Sequence, residues 1–277
     1  MLAVLITGRG TSGSWQIRGV QLGHALGARV EAQARLGDAD VVIGVKRLPD
    51  DLLRALRGRP LIWDVVDAWP QPHGNDWNEG MCRRWLAQEV DRIQPAAIIA
   101  ATKRMATDCQ AFGVPVLWLP HHHRPGIAPN PIRERLAVIG YEGAPGYIDK
   151  WRKAIDRECA RIGARFVVNP ATLSCVDVVL ALRGSAGYAP RQWKSGVKLA
   201  NAHGSGTPWI GCREAGYLET ASGAEYWADT PEELRIALDW LSDQSSREQV
   251  ADRFRAAAFS AEAAASRLRE WICALRF

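Results

Sequence analysis

The sequence lacks long apolar runs and paired cysteine motifs, and it contains few lysines. No apolar stretch approaches the roughly 18 residues of a membrane-spanning helix, and the N-terminal run Met1–Ile6 is too short to be a targeting segment. The 6 cysteines are scattered without a Cys-x-x-Cys pair, so we expect reduced thiols and a cytoplasmic location. With 47% hydrophobic and 23% charged residues, the chain of 277 residues is neither disordered nor fibrous.

Lysine is scarce among the 35 basic residues, most of which are arginine. The formal net charge of +5 is spread over both halves of the chain and does not form a basic tail. Such a distribution indicates either a bias in residue usage or a polyanionic partner such as nucleic acid. Because lysines are few, two that lie only four positions apart, Lys194 and Lys198, stand out.

Short apolar runs alternate with segments of helical periodicity along the chain. The predicted strands of the first half are Leu2–Thr7, Asp40–Val45, Leu61–Val66, Ala96–Ala101 and Val114–Leu119. Helical segments separate them, and this alternation is typical of βαβ units in a parallel sheet. A proline-rich stretch follows, after which the pattern restarts with a strand at Ala137–Tyr141.

We therefore predict an α/β protein with two Rossmann-like domains. The first comprises residues 1–125, a linker covers 126–133, and the second comprises residues 134–277. In open α/β sheets, ligands bind outside the carboxyl ends of the strands. We expect the functional site in a cleft between the two domains.

The first predicted strand runs directly into a glycine-rich loop. Gly8, Gly10 and Gly13 form a G-x-G-x-x-G pattern between strand and helix, which is the context of dinucleotide-binding loops. Glycines there let the backbone approach a phosphate beside helix N-terminal amides. One interpretation is an NAD(P)-dependent oxidoreductase, with Glu31 as the acid on the ribose. The other is a turn needed only for close packing of strand and helix.

Three basic residues are predicted to converge in the second half. Lys194 and Lys198 are spaced i, i+4 in a predicted helix, Trp193–His203, so both would project from one face. Arg183 ends the preceding strand, and small residues fill the loop between, as close approach of a diphosphate requires. A solvated basic face is the alternative interpretation.

The segment that begins at Lys198, KLANAHGSGTPWIGCREAGYLET, resembles the donor site of GT-B glycosyltransferases, in particular family-4-like enzymes. In that family, a helix reading LLEAMA-x-G precedes a PVI strand and a GG-x-x-E loop. Aligned on the GTPWI stretch, the loop glutamate falls on Glu219 and the ribose-binding glutamate of the helix falls on Asn201. The first glutamate of the family's E-x7-E pair falls on Trp193, so this sequence lacks both members of that pair.

The resemblance implies a short GT-B glycosyltransferase whose donor is a UDP- or GDP-linked sugar. It implies that the donor diphosphate is bound by Arg183, Lys194 and Lys198. It implies that the donor sugar and ribose are contacted by Asn201, Gly216, Tyr217 and Glu219. It implies that the glycine loop at the reacting centre contributes Gly10, Ser12, Gly13 and Ser14. The C-terminal helical segment, about Arg247–Leu275, would cross back onto the N-terminal domain.

Two residues of the first half are candidate catalytic groups. Asp67 follows a predicted strand at its carboxyl end and could act as a general base, although a turn cap is an equal interpretation. His121 closes the last strand of that half and could contact substrate. The run of histidines at 121–123 does not have the spacing of zinc ligands, so we predict no metal, and also no cofactor.

Tryptophan is unusually frequent, with 12 residues against 5 phenylalanines and 5 tyrosines. Of these, Trp15, Trp63, Trp69, Trp77, Trp85 and Trp118 lie in the first predicted domain, where the resemblance places the acceptor. Tryptophans on loops can stack on sugar rings or bases, and in a core they provide apolar packing. Both interpretations remain open at this point.

The sequence therefore favours transfer of a sugar from a nucleotide diphosphate to an acceptor hydroxyl. The acceptor stays open between a glycan, a lipid-linked sugar, a small metabolite and a hydroxylated base in DNA, as some bacteriophage glycosyltransferases modify. A DNA acceptor would require the base to be flipped out of the duplex. The alternatives are the oxidoreductase and a non-catalytic nucleotide-sugar binder, which the missing glutamate pair favours.

Overall fold

The structure, a computed structural model, describes residues 2–32, 39–67, 77–184 and 187–275. These residues divide into two compact units. The first unit draws on Met1–His121, Gly187–Ser195 and Ala261–Phe277, and the second on His122–Ala186 and Gly196–Ser260. The sequence assigned all of residues 134–277 to one domain, whereas two stretches from that range pack with the first unit.

A parallel sheet of six strands forms the centre of the first unit. Its strands are β1 (Val4–Gly8), β2 (Arg29–Ala32), β3 (Val41–Val45), β4 (Leu61–Asp64), β5 (Ala97–Ala100) and β6 (Val116–Trp118). Their order in the sheet is β2-β1-β3-β4-β5-β6, with parallel pairing throughout. Chain order and sheet order therefore diverge only at β1, which lies between β2 and β3.

Helical segments connect these strands. They are a π-helical segment Trp15–Gln21, α1 (Leu22–Leu26), α2 (Asp50–Ala55), α3 (Glu79–Ile93), α4 (Lys103–Cys109) and a 3₁₀ turn Gln110–Phe112. A second π-helical segment, Ala189–Trp193, also belongs to this unit. Thr102 and Asn78 cap α4 and α3, because each side chain accepts a hydrogen bond from a backbone N–H in the first turn.

The second unit has its own parallel sheet of five strands. These are β7 (Val138–Tyr141), β8 (Arg165–Val168), β9 (Val178–Ala181), β10 (Trp209–Gly211) and β11 (Tyr226–Trp227). The order is β11-β10-β9-β7-β8, again with parallel pairing. Here β7 lies between β8 and β9, as β1 lies between its neighbours in the first sheet.

The helices of the second unit follow the same alternation with its strands. They are a 3₁₀ segment Pro145–Trp151, α5 (Arg152–Ile162), a 3₁₀ turn Leu173–Cys175, α6 (Val197–Ser205), α7 (Ala215–Leu218), α8 (Pro231–Leu241) and α9 (Gln244–Ala256). The last helix of the chain, α10 (Ala261–Ala274), belongs to the first unit, where it packs on α1. Arg269 on α10 donates a hydrogen bond to the carbonyl of Leu26 (2.9 Å).

Burial on both faces explains why the central strands are continuous apolar runs. Every residue of β3, β5 and β9 is buried. By contrast, the two residues of β11 are only half-buried, and the sequence analysis gave no strand there. The predicted α/β class with two Rossmann-like domains is confirmed. No helix within the described ranges is long and apolar enough to cross a bilayer.

Candidate functional site

Each sheet has one position where the strand order reverses. In the first unit it lies between β1 and β3, and in the second between β7 and β9. Loops that leave neighbouring strands at such a position diverge to opposite faces of the sheet and leave a crevice at the carboxyl ends. The residues that follow these four strands are therefore candidates for the functional site.

The glycine loop follows β1 in the first unit, and its three glycines have different roles. Gly10 has φ +82°, and a Cβ there would lie 2.6 Å from the Cβ of Ala32, so only glycine fits. A Cβ on Gly8 would lie 3.1 Å from the ring of Trp15. Gly13 has an ordinary φ, and a Cβ there would meet no described atom within 4 Å. The first two glycines are explained by packing, whereas Gly13 faces open space.

Serines of this loop have defined local contacts. The hydroxyl of Ser12 accepts a hydrogen bond from the backbone N–H of Trp15 (3.2 Å), at the start of the π-helical segment. The hydroxyl of Ser14 accepts one from Nζ of Lys46 (3.5 Å), which follows β3. This hydrogen bond connects the loop after β1 to the residue that follows β3.

Asp67 lies between two lysines in the first unit. Its Oδ2 is 2.8 Å from Nζ of Lys194, and its Oδ1 forms an ion pair with Nζ of Lys46. The three side chains are 10%, 20% and 18% exposed, respectively. One carboxylate is therefore paired with two lysines, which hold it in place.

A strained backbone places Asp67. Its N–H donates to the carbonyl of Val65 (2.7 Å) across Val66, which has φ +62°. This is the geometry of a classic γ-turn, and a positive φ at a β-branched residue is a genuine outlier. Strain of this kind persists where the surroundings hold it, and it clusters at functional sites.

The protonation state of Asp67 follows from its neighbours. Burial by itself raises the pKa of Asp67, but the charges of Lys194 and Lys46 outweigh burial and hold the pKa below its ordinary value. The carboxylate is therefore ionised at neutral pH. That is the state a general base needs, although a lowered pKa also weakens its basicity.

His121 ends the first of the three stretches that form the first unit, and it is 4% exposed. The backbone that leads to it is fixed by Arg18, whose guanidinium donates to the carbonyl of Leu119. Arg18 is fully buried and forms an ion pair with Asp64, with 3.2 Å between Nε and Oδ2. This arginine was not singled out from the sequence, because its partners are distant along the chain.

Arg183 follows β9 in the second unit and forms a buried ion pair. Its Nε lies 2.7 Å from Oε1 of Glu214, and the side chains are 8% and 5% exposed. Burial lowers the pKa of Arg183, but the charge of Glu214 outweighs burial and raises the pKa above its ordinary value. A guanidinium carries N–H donors besides Nε, and these can bind a ligand.

Lys198 lies near the loop that follows β7. Its Nζ is 3.9 Å from the centre of the Tyr141 ring, and a Cβ on Gly143 would lie 3.4 Å from this nitrogen. Gly143 has φ +139°, and its N–H donates to Oδ1 of Asn169 (2.7 Å). The second unit therefore brings Lys198 to a glycine loop at the carboxyl end of β7.

Asn201 has partners within its own unit. Its Oδ1 accepts from the backbone N–H of Arg124 (2.9 Å), and its Nδ2 donates to Oε2 of Glu142 (3.3 Å). Arg124 and Glu142 also form an ion pair (2.9 Å). Asn201 is 6% exposed. Its predicted contact with a ribose stays a prediction, and this network shows what holds the side chain in place.

The remaining predicted donor residues lie on or beside the short helix α7. Gly216 and Tyr217 are buried, and Glu219 follows the helix with partial exposure. A Cβ on Gly196 would lie 2.4 Å from the carbonyl oxygen of Gly216, so the start of α6 packs directly on α7. These residues are close in space as well as in sequence.

The prediction that Lys194 and Lys198 share one helix is wrong. Lys194 has an extended backbone (ψ 132°) after the π-helical segment, and α6 begins only at Val197. The reason is tertiary packing, because Nε1 of Trp193 donates to Oδ2 of Asp108 (2.9 Å). The structure accordingly assigns Lys194 to the first unit and Lys198 to the second.

Tryptophan serves mainly as core in the first unit. The ring of Trp85 packs against the rings of Trp63, Trp77 and Trp193, with ring centres 5.8–6.3 Å apart, and all four side chains are buried. Trp15 is buried too, Trp118 is half-buried, and Trp69 lies outside the described residues. Packing therefore accounts for most of these rings.

Sequence reasoning missed Lys46 and Glu214. Each is paired with a residue more than 20 positions away, and the pairing depends on neighbouring strands of a sheet. A signal for Lys46 exists in hindsight, because it directly follows a fully apolar strand. Among the described residues, no group of three or more His, Cys, Asp and Glu side chains could hold a metal ion.

Comparison with known proteins bears on the fold. Neither a model of a protein family nor a curated protein sequence matches the chain. Among solved structures, HepE of Anabaena in complex with UDP-glucose is 13% identical with a TM-score of 0.63, and the match covers 99% of this chain and 100% of that one.

Two further structures agree with this match. AviGT4, a glycosyltransferase of avilamycin A biosynthesis, is 14% identical with a TM-score of 0.58, covering 98% and 96%. TarM is 10% identical with a TM-score of 0.63, covering 84% of this chain and 54% of the longer TarM chain. These neighbours do not support the oxidoreductase interpretation, in which Glu31, ion-paired with Arg29 (3.2 Å), was to bind a ribose. The chain shares the GT-B fold of these glycosyltransferases.

Proposed function

We propose that the protein transfers a sugar from a nucleotide diphosphate to an acceptor hydroxyl. The observation that carries the proposal is the pair of cations at the strand reversal of the second unit, Arg183 and Lys198, on a GT-B fold. A fold hosts many reactions, so the proposal depends on these side chains and not on the fold alone. HepE, with its UDP-glucose, supports a nucleotide-sugar donor.

The donor diphosphate contacts Arg183 and Lys198 in this proposal. A departing nucleoside diphosphate gains negative charge, and fixed cations stabilise that charge without reorganisation. Arg183 is suited to this because Glu214 holds its guanidinium in place. Lys194, predicted to bind the same diphosphate, lies on Asp67, and we retain it as a second source of positive charge.

The donor sugar and ribose contact the group around α7. We assign this role to Asn201, Gly216, Tyr217 and Glu219. Burial raises the pKa of Tyr217 well above its ordinary range, so its phenol stays protonated and can donate a hydrogen bond. Asn201 stands where the family has a glutamate, and an amide can bind a ribose hydroxyl without adding charge.

The acceptor hydroxyl belongs to the first unit in this proposal. Asp67 is ionised and can accept the hydroxyl hydrogen, while Lys46 and Lys194 hold its carboxylate in place. His121 contacts substrate, and the glycine loop, with Gly10, Ser12, Gly13 and Ser14, adjoins the reacting group. The cysteines are free thiols, which supports a reaction in the cytoplasm.

The first test of this proposal is binding followed by turnover. UDP, GDP, their sugar conjugates and NADH are added to the full chain, and the melting temperature is measured, since a ligand of the native state raises it. We expect stabilisation by one nucleotide diphosphate and none by NADH. Stabilisation by NADH alone would contradict the proposal. Binding of a nucleotide sugar without transfer to any acceptor would indicate a non-catalytic binder.

A matched pair of lysine variants then tests the diphosphate contact. Lys198→Ala should lower kcat/KM with the active donor about 100-fold, as expected for lost charge stabilisation in a transition state. Lys153→Ala is the control, because Lys153 is an exposed lysine on α5 of the same unit. Equal rates for both variants would remove Lys198 from the site.

The acceptor panel should contain glucose, sugar phosphates and hydroxymethylated duplex DNA. DNA belongs to the panel because of the net charge of +5. A DNA acceptor predicts binding that weakens steeply with salt, because contacts to backbone phosphates release counterions. Binding to DNA that does not change with salt would argue against this acceptor.

A further inference from the structure

The first unit contains a cavity that the proposed donor contacts do not use. It has a volume of about 310 Å³. It is lined by Arg9, Thr11, Ser12, Trp15, Val45, Lys46 and Arg47. These residues come from the loop after β1 and the end of β3 with the loop that follows it. The cavity therefore lies at the strand reversal of the first sheet, where open α/β sheets bind ligands. Its volume is at the lower end of the range for small-molecule sites.

The lining is rich in positive charge and in hydroxyl groups. Three of the lining residues are cations, namely Arg9, Lys46 and Arg47, and two carry hydroxyls. The described lining contains no carboxylate. Asp67 forms an ion pair with Lys46, and the same carboxylate also pairs with Lys194. An anion in this cavity would meet cations and hydroxyl donors together, as a phosphate group requires.

Backbone geometry fixes one side of the cavity. Lys46 has φ +59°, a left-handed conformation that is uncommon for residues other than glycine. Two hydrogen bonds hold it there: its N–H donates to the carbonyl of Asp64 (2.8 Å), and its carbonyl accepts from Nε1 of Trp63 (2.9 Å). A lysine kept at a position where glycine would be less strained indicates that its side chain is needed.

The other side of the cavity is open to solvent at Arg9. Arg9 is exposed, and no carboxylate of the described residues lies within ion-pair distance of it. Arg9 and Arg47 are the exposed cations of the lining, and Lys46 is half-buried. A ligand could therefore enter past the two arginines and end against Lys46. The indole of Trp15 and the side chain of Val45 supply an apolar wall beside this path.

We propose that this cavity binds a phosphate group carried by the acceptor substrate. The inference rests on the proposed function, and it adds the chemical class of the acceptor. Two sources share this chemistry: a phosphomonoester such as a sugar phosphate, and a phosphodiester of nucleic acid. The donor is not the source we assign, because the cations proposed for its diphosphate, Arg183 and Lys198, belong to the second unit.

The test measures binding to the full chain by calorimetry, without donor present. The probes are glucose 6-phosphate, glucose and a 12-base-pair duplex. We expect glucose 6-phosphate or the duplex to bind, glucose not to bind, and Arg9→Ala/Arg47→Ala to weaken binding at least about tenfold, a difference that calorimetry resolves. If Arg9→Ala/Arg47→Ala loses affinity for glucose 6-phosphate, the cavity binds a phosphomonoester. If it loses affinity for the duplex, the cavity binds a phosphodiester.

A charge-matched control separates the cavity from the general charge of the chain. Arg54→Ala/Arg57→Ala removes two exposed arginines at the end of α2 in the same unit, neither of which lines the cavity. We expect this control to bind both probes like the unaltered chain. Equal weakening in the two double variants would overturn the proposal. So would binding of neither probe.

Binding of UDP, measured on the same variants, distinguishes failure of this inference from failure of the proposed function. If UDP stabilises Arg9→Ala/Arg47→Ala as it does the unaltered chain, the donor site is intact and the phosphate result concerns the acceptor. If the double variant loses UDP instead of the acceptor probes, the cavity serves the donor and the inference is overturned while the function stands. If neither UDP nor GDP binds the unaltered chain, the proposed function fails by itself.

Discussion

In each unit, basic side chains pair with a carboxylate just after the ends of two neighbouring strands, but the surroundings of the two pairings differ. In the first unit, one carboxylate (Asp67) is shared by two lysines that are 18% and 20% exposed. In the second, one arginine (Arg183) faces one carboxylate (Glu214), and both are less than a tenth exposed. The first cluster touches water, whereas the second is almost dry.

This difference in exposure indicates that the Arg183–Glu214 pair positions a side chain, whereas the cluster around Asp67 can bind a ligand. A dry, balanced pair contributes little to net stability, yet breaking it is costly because an uncompensated charge remains buried. Such a pair fixes the arginine in one place. Altering a cluster of charges near water changes the free energy of unfolding less, and such a cluster can accept another anion. We therefore expect variants of Glu214 to act mainly on stability, and variants of Asp67 to act mainly on turnover.

The largest effect on stability is expected from Glu214→Gln. The variant leaves Arg183 buried without a negative partner and should lower the free energy of unfolding by about 3 kcal/mol. Urea denaturation followed by tryptophan fluorescence measures this, with Glu219→Gln, at a partly exposed position next to α7, as the control. A loss below about 1 kcal/mol, which is typical of surface pairs, would show that water screens the pair of Arg183 and Glu214.

A smaller loss is expected from Gly196→Ala, which tests the close packing of α6 on α7. The new Cβ would lie 2.4 Å from the carbonyl oxygen of Gly216, so the backbone must shift. We expect destabilisation by about 2 kcal/mol, in the range of overpacked sites, and weaker donor binding. Unchanged stability together with unchanged donor affinity would mean that this contact does not shape the donor site.

Asp67→Asn should cost about 1 kcal/mol, because its lysine partners are partly solvated. Since the pKa of Asp67 is lowered in the folded state, its stabilising effect is complete above the ordinary pKa of an aspartate and is lost as the pH falls through the lowered value. The variant should lack this loss in acid. At neutral pH, turnover should fall much more than stability.

Unfolding of the Asn variant and of the unaltered chain can be compared from pH 7 down to pH 3. The two stability curves should approach one another as Asp67 takes up its proton. Parallel curves over the whole range would exclude the ion pairs as the source of stability. Turnover equal to that of the unaltered chain would remove Asp67 from the candidate catalytic groups.

The smallest effect on stability is expected from Gly13→Ala. Its φ is ordinary and its Cβ would meet no described atom within 4 Å, so the free energy of unfolding should change by less than about 0.5 kcal/mol. If the glycine loop adjoins the reacting group, the added methyl should nevertheless raise KM or lower kcat. A variant as active as the unaltered chain would show that the space beside Gly13 is not occupied by substrate.

Much of the fold could be predicted from the sequence, because central parallel strands are buried on both faces. Strands such as β3 and β5 are therefore visible as apolar runs with clear limits. The glycine loop was predictable for a similar reason, since Gly10 is imposed by a local turn and by Ala32. Where one short stretch carries all the information, sequence patterns are sufficient.

The site could be predicted only in part, because its pairs join distant segments. Lys46 and Asp67 are brought together by strands β3 and β4, and no local pattern records this. The helix predicted for Lys194 was overridden by a single distant acceptor, Asp108, which holds Trp193. Lys194 and Lys198 have the spacing of two residues on one helical face, but they do not lie on one helix. The variants above test the roles proposed for Asp67, Lys198 and the glycine loop.

The composition of the first unit from three separate stretches of chain has a consequence for protein synthesis. Domains usually fold as they leave the ribosome, in order from the N-terminus. Here α10, which packs on α1, is translated after the second unit, so the first unit can be completed only once the second has been made. An expression fragment ending near residue 125 would expose the surface of α1 that α10 covers. Biochemistry on this protein should therefore use the whole chain.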